Sequence, residues 1–464
     1  MPAADHDPAD TPDTAPKGRL RWLLDGGWVE RDQAAAAFER MHRRDAIGDR
    51  IHLALACLAA FGLAGPTSAV EIAYLPLLVF FFVRAVNAGP TWIHWLGQPM
   101  MLGALALAAW QAIALAWSGD RALGLDHLGS LRWLVIGVLF WPVIERRRTI
   151  IAAFALGMLA GNASQLAHAI GTAAQIDWLT FPRAKFRNSG WWDPVVGGSL
   201  LTAALGLHLP AAILARGAAR WLALAAAGIT LAGILATGTR GAWLASAGLV
   251  AIAIVWGAWT AVRSNAWTVR GTLARGAVLA VVLAIAGGGV WFAAGDTLTR
   301  RYDKAREEIT AAFGGDHDSD TGARISMISW ATRAIVERPF TGVGTGGYRA
   351  WVEDQADDTN VHDHAHNAPL HIGATNGVVG LALAGFVVLV GLRAGLMRFP
   401  VAPGARGWSA YDAGPALAIV GLMLAGMFDG VHLNTQTAAV LGLMLGVCPC
   451  WSPRKEPRAK ATGS

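Results

Sequence analysis

The sequence predicts an all-α polytopic membrane protein with about 12 membrane-spanning helices and one large, mostly helical loop domain on the outer face. Three observations carry this. Hydrophobic residues make up 54% of the 464 and charged residues only 15%, away from the balance of soluble domains. Apolar runs long enough to cross about 30 Å of hydrocarbon recur between residues 51 and 449, with short polar breaks. Tryptophan, present 21 times, is abundant, as it is where chains meet membrane interfaces.

The chain opens on a hydrophilic segment, residues 1–50, rich in Pro, Asp and Ala and then basic. It lacks an apolar stretch with a small-residue cleavage site, so no signal peptide is expected and this tail is assigned to the cytoplasm. Spans are expected at about 51–65, 69–89, 99–118, 128–145, 149–170, 194–215, 219–239, 241–262, 276–294, 370–392, 413–431 and 434–450. Nine of them fall in residues 51–294 and three in 370–450, leaving 451–464 as a second inner tail. Basic residues mark the inner connections: Arg146, Arg147 and Arg148; Arg216 and Arg220; Arg263, Arg270 and Arg275; Arg393, Arg398 and Arg406; then Arg454, Lys455 and Arg458. Cys57, Cys448 and Cys450 lie in or beside apolar runs and suggest neither a disulfide framework nor a four-ligand zinc site.

Two outer connections are long: Gln175 to Asp193, and residues 295–369. The larger carries two amphipathic helical stretches, "LTRRYDKAREEITAAF" and "ARISMISWATRAIVERPF", then the glycine-punctuated "TGVGTGGY", and should fold as a cap. Trp191, Trp192, Tyr348 and Trp351 share this side, as interfacial anchors or as stacking platforms for sugars. Arg183, Lys185 and Arg187 crowd the first loop, against the positive-inside tendency, and Arg324 follows the acidic "DHDSDTGA".

Arg240 sits in "ATGTRGAWLA", a turn so tight that its guanidinium must lie at the outer boundary. An unpaired charge there costs several kcal/mol unless it snorkels to headgroups or meets an anion. Arginine rather than lysine favours a phosphate, because its planar fork holds two oxygens at once.

In "NVHDHAHNAPLHIGATNGVVG" histidines crowd the mouth of an apolar run. If this stretch is extended, His362, His364 and His366 point to one side and, with Asp363, form a metal-ligand row. Alternatively one imidazole is a general base, its ordinary pKa near 6.5 suiting proton abstraction at neutral pH. A third reading is a solvated polar cluster.

These residues resemble the bacterial O-antigen ligases. His366, Asn367, nine residues, Gly377, two residues and Gly380 follow that family's pattern of His, then Asn, Ser or Gln, nine residues, Gly, two residues, and Gly, Thr or Tyr. "RGAWL" is similar to its Arg-x3-Leu motif, carried by Arg240 and Leu244, and "TGARISMISWA" to the segment holding a second functional arginine, Arg324. The resemblance implies a GT-C-like glycosyltransferase of the bacterial inner membrane, with its active site in a periplasmic loop domain. It implies transfer of an O-antigen polysaccharide from undecaprenyl diphosphate to a lipid A-core sugar hydroxyl in lipopolysaccharide biosynthesis, inverting at the anomeric carbon. Under it His366 is the base, Arg240 and Arg324 stabilise the departing diphosphate with Arg187 as a further cation, and Asn367 orients the base or the acceptor. Gly377, Gly380 and Leu244 are structural parts of the motifs.

No cofactor, metal or nucleic-acid partner is expected; the partners are the two lipid-linked glycans and membrane lipids. An O-antigen polymerase and a protein O-oligosaccharyltransferase share the superfamily and remain alternatives. A polytopic lipid or solute transporter would also need many helices, but its polar residues should gather near the midplane, whereas here they cluster at one face. "DSD", Asp318 to Asp320, has the form of a metal-holding Asp-x-Asp but reads more simply as a solvated acidic loop.

Overall fold

Helix is the regular element throughout the described residues, as a backbone that must satisfy its own polar groups in hydrocarbon requires. The structure, a computed structural model, describes residues 23–24, 26, 29–180, 190–263, 269–313, 319–355, 362–397, 409 and 411–449. Helix accounts for 84% of it and no strand occurs among these residues. Arg187 and Asp318 lie outside the described residues, as do Arg183 and Lys185.

The longer helices run in chain order as α1 (Arg31–Arg44), α2 (Ala46–Gly62), α3 (Thr67–Val83), α4 (Ala85–Leu96), α5 (Pro99–Ala114), α6 (Arg121–Ser130), α7 (Arg147–Ala174) and α8 (Pro194–Leu214). They continue as α9 (Ala218–Ala236), α10 (Arg240–Arg263), α11 (Val269–Phe313), α12 (Asp320–Glu337), α13 (Tyr348–Gln355), α14 (Ala368–Met397), α15 (Gly414–Gly426) and α16 (Thr435–Gly446). Among the described residues, 6 helices are long and apolar enough to cross a membrane. The pair α3 and α4, bent by 103°, makes up to 7, and shorter apolar helices occur at Leu273–Gly289, Gly414–Gly426 and Thr435–Gly446. The protein is a helical, polytopic membrane protein.

Helix α8 is the axis of the bundle, buried along its whole length and packed against α9, α10 and α15. Small residues allow the approach: a Cβ on Gly206 would come within 2.4 Å of the Leu417 carbonyl oxygen, and one on Gly421 within 2.8 Å of that of Thr202. Such close backbone contact is how helices gain packing energy where lipid removes the hydrophobic drive between them. Large side chains exposed on the outside, such as Ile72, Phe82, Val86, Leu244 and Val255, form the apolar surface that lipid covers.

Two elements differ from the sequence reading. Residues 31–50, assigned to a tail, are helical, because Phe38 and Met41 on α1 are buried and Phe38 packs edge-on against Trp141. Asp45 and Asp49 also hold the buried Arg84 guanidinium, at 2.7 and 2.6 Å. Second, α11 does not stop near residue 294 but runs as one 45-residue helix to Phe313, carrying the span into the cap without a break. Its later turns bring Glu308 beside α10, which decides the geometry of Arg240.

Candidate active site

The site is built around a short turn that the sequence reading did not single out, Met427 to Gly430, between α15 and α16. All three motif segments touch it. The Arg324 Nη1 donates to the Phe428 carbonyl at 3.2 Å. Gly241, next to Arg240, faces the Phe428 side chain so closely that a Cβ would sit 2.7 Å from it. Asn367 Nδ2 donates to the Met427 carbonyl at 3.0 Å, and His366 Nδ1 lies 3.1 Å from Asp429 Oδ1.

The backbone of His366 is itself unusual. Its φ is +46°, left-handed in a residue with a bulky side chain, which costs roughly 1–3 kcal/mol and tends to persist at functional positions. Three contacts hold it there: the Asp429 carboxylate, the His364 Nδ1 that accepts from the His366 amide at 3.2 Å, and the Asn367 cap just beyond. Asn367 Oδ1 accepts from the Leu370 amide at 3.0 Å, closing the first turn of α14. Both ends of the Asn367 amide are thereby engaged, tying the first turn of α14 to the Met427–Gly430 turn beside His366.

Asp429 supplies the electrostatics. Burial alone would raise its carboxyl, but the His366 hydrogen bond and the Gly430 amide outweigh this and hold it below the usual carboxylate range. An ionised Asp429 can only accept, so His366 Nδ1 is the donor of this bond. The side chain of His366 remains 28% exposed.

Arg240 opens α10 and reaches α11: its Nη2 donates to Glu308 Oε2 at 3.0 Å. That oxygen also accepts from Thr321 Oγ1 at 2.6 Å, one turn before Arg324 on α12. Glu308 therefore ties together the two arginine-bearing helices, while Lys304 Nζ stands 3.6 Å from its second oxygen. Arg240 stays part-exposed at 32%. Leu244, one turn on, faces outward on α10.

Gly377 breaks α14 with φ +66° and ψ −170°, and a Cβ there would lie 2.2 Å from the Phe340 oxygen. The groups released by the break are all taken up. Val378 N donates to Pro339 O, Val343 N to Ala374 O, Gly344 N to Thr375 O and Trp110 Nε1 to Asn376 O. Gly380 lies against Asn376 and Trp110, where a Cβ would be 2.4 Å from that of Asn376. The motif glycines thus lock the loop after α12 onto the start of α14 and set where His366 points. The tryptophans and tyrosine divide: Trp192 and Tyr348 are core, Tyr348 Oη donating to the Met327 carbonyl, Trp351 packs edge-on against Trp330, and Trp191 is exposed.

The histidines gather without forming an extended row. The His364 ring lies 4.1 Å from that of His366 and the exposed His362 ring 5.6 Å from it. Behind them His371 meets His127 at 5.5 Å and His432 at 5.8 Å, two residues absent from the sequence reading. Burial, aided by neighbouring imidazoles, pushes His364 down to about 4 and His432 down to about 3, and burial alone lowers His127 against nearby carboxylates. Such groups bind fewer protons folded than unfolded. Their contribution is complete above the ordinary value of 6.5 and lost as pH falls through about 4. The melting midpoint of the purified protein should therefore drop steadily from pH 6.5 towards 4; a flat midpoint would contradict a neutral, buried cluster.

A histidine–aspartate pair and two arginine-bearing helices thus meet around one turn of a helical membrane bundle. Residues 225–385 match the family model described as O-antigen ligase. No curated protein matches the chain. The matched stretch contains Arg240, Glu308, Arg324, His366, Asn367, Gly377 and Gly380, and ends before Asp429.

Proposed function

We propose that this protein moves a polymeric glycan from undecaprenyl diphosphate to a sugar hydroxyl of lipid A-core, on the periplasmic face of the bacterial inner membrane. The single observation that supports it most is the turn from Met427 to Gly430, on which the segments of all three motifs converge, through Gly241, Arg324, His366 and Asn367. The family match gives the class, a glycan transferase of the ligase and polymerase type.

The chemistry follows from the residues. A sugar hydroxyl attacks poorly until its proton is taken, and His366 Nε2, oriented by the Nδ1 contact with Asp429, takes it. The oxygen attacks the anomeric carbon opposite the diphosphate, which departs with the bonding pair, so the centre inverts. The diphosphate needs no acid. Its charge is met by Arg240 and Arg324, with Arg187 as a third cation in this reading. Donor binding must draw Arg240 at least partly away from Glu308, since a carboxylate and a diphosphate compete for the same fork. In this reading the helical cap and the bundle serve as a GT-C-like architecture that presents two lipid-anchored substrates side by side.

The test is reconstitution: purified protein, lipid-linked glycan and lipid A-core, with EDTA present. Transfer to lipid A-core should proceed at the chelator-free rate, because arginines rather than a metal meet the diphosphate. Loss in EDTA with recovery on magnesium or manganese would transfer the role to Asp318 and Asp320. Elongation of the lipid-linked glycan instead would make the protein a polymerase, and transfer to a Ser- or Thr-bearing acceptor protein an O-oligosaccharyltransferase. Binding and vectorial movement of a lipid without bond cleavage would indicate a transporter.

A further inference from the structure

His364, His366 and Asp429 each offer a ligand atom within 4.8 Å of the other two, and all three side chains are part-exposed, so an ion can reach them. We propose that this triad is an inhibitory site for a borderline divalent cation, zinc foremost, which binds between His366 and Asp429, draws in His364 and silences the base. The proposal rests on the reading of His366 as the base.

Distance is the first argument. Ligand atoms about 2.0–2.1 Å from a tetrahedral ion stand roughly 3.3 Å apart, so an ion fits between His366 Nδ1 and Asp429 Oδ1, now 3.1 Å apart, with almost no movement. The third ligand must close in from the looser 4.8 Å spacing, and the His364 ring, 4.1 Å from that of His366, is near enough to do so by rotation. Donor type is the second argument. Two imidazoles and one carboxylate suit zinc and its neighbours, whereas magnesium and calcium prefer oxygen.

The consequence for catalysis is specific. A neutral imidazole has one proton for two nitrogens; once Nδ1 is bound to the ion, that proton resides on Nε2, and the lone pair that would take the acceptor's proton is gone. No bond in either substrate changes, and removing the ion restores the Nδ1–H tautomer.

The experiment uses full-length protein in nanodiscs, stripped with EDTA and returned to chelator-free buffer. Zinc chloride is titrated without substrates by calorimetry, and cobalt chloride by its visible spectrum; transfer is then measured across the same zinc range. Wild type should bind one ion with a tetrahedral cobalt spectrum, and transfer should fall at least about tenfold at saturation, recover in EDTA and be untouched by equal magnesium. H364N keeps an acceptor for the His366 amide but removes the third ligand. It should weaken zinc binding and inhibition about tenfold or more, each judged against its own zinc-free state, while H362N changes neither. Absent binding, unchanged inhibition in H364N, or stimulation by zinc overturns the proposal. Should wild type bind zinc and H364N bind it weakly while neither transfers glycan, the ion site stands and the reading of the function falls.

Discussion

His366→Ala is expected to abolish glycan transfer, by about 10²–10⁴-fold, while leaving lipid-linked donor binding close to normal. Donor affinity rests on the arginines, which the substitution does not touch, whereas the proton of the acceptor hydroxyl has nowhere else to go. The Asp429 contact, 3.1 Å from Nδ1, is what aims Nε2 outward. Asp429→Asn should therefore also lose rate without losing donor binding, by a smaller factor, since an amide still bonds to Nδ1 but no longer stabilises the imidazolium. His362→Ala should keep most activity, because that ring is exposed and meets the His366 ring edge-on, 5.6 Å between centroids. Single-turnover transfer and donor binding measured in one nanodisc preparation separate these roles. An active His366→Ala removes the base from this residue, and equal collapse of His362, His364 and His366 variants would point instead to an ion they must share for activity.

How much of this was legible in the chain depends on the range of each signal. Arg240, Arg324, His366 and the glycines announce themselves locally, since each sits where composition and position disagree: a cation at a boundary, imidazoles before an apolar run, glycine where a helix must break. The same logic reaches Asp429, the sole acid between Ala413 and Cys450, and His432 beside it. They were passed over because a lone acid between apolar runs looks like a loop end until the fold shows His366 facing it. Glu308 and His127 were beyond reach. Glu308 is one of several charges on an amphipathic helix, and only the unbroken path of α11, Val269–Phe313, brings it under Arg240. His127 lies in the short helix α6, and its ring partner His371 is more than two hundred positions away in the chain. The N-terminal helix α1 was hidden for the opposite reason: its polar face dominates the composition, and Phe38 and Met41 show their purpose only once Trp141 lies near them.

Arg240→Lys is expected to lower the rate of transfer about tenfold or more, with a smaller change in donor binding. The charge survives, but the fork does not. Arg240 Nη2 is held at 3.0 Å by Glu308 Oε2, and the same carboxylate oxygen takes Thr321 at 2.6 Å, so the guanidinium stands at a fixed place beside the helix that bears Arg324. A lysine ammonium is a point charge on a flexible stem and cannot hold two diphosphate oxygens in the paired planar geometry of the guanidinium fork. Much of what Arg240 adds should appear as the glycosidic bond breaks and charge moves onto the leaving diphosphate, which is why turnover should suffer more than donor affinity. Glu308→Gln sharpens the reading: it keeps a neutral partner for Thr321 and Arg240 but removes the charge that competes with the donor, so donor binding should tighten while turnover falls less than in Arg240→Lys. Turnover of Arg240→Lys near the wild-type value would leave Arg240 as a headgroup anchor, with Arg324 to meet the diphosphate without it.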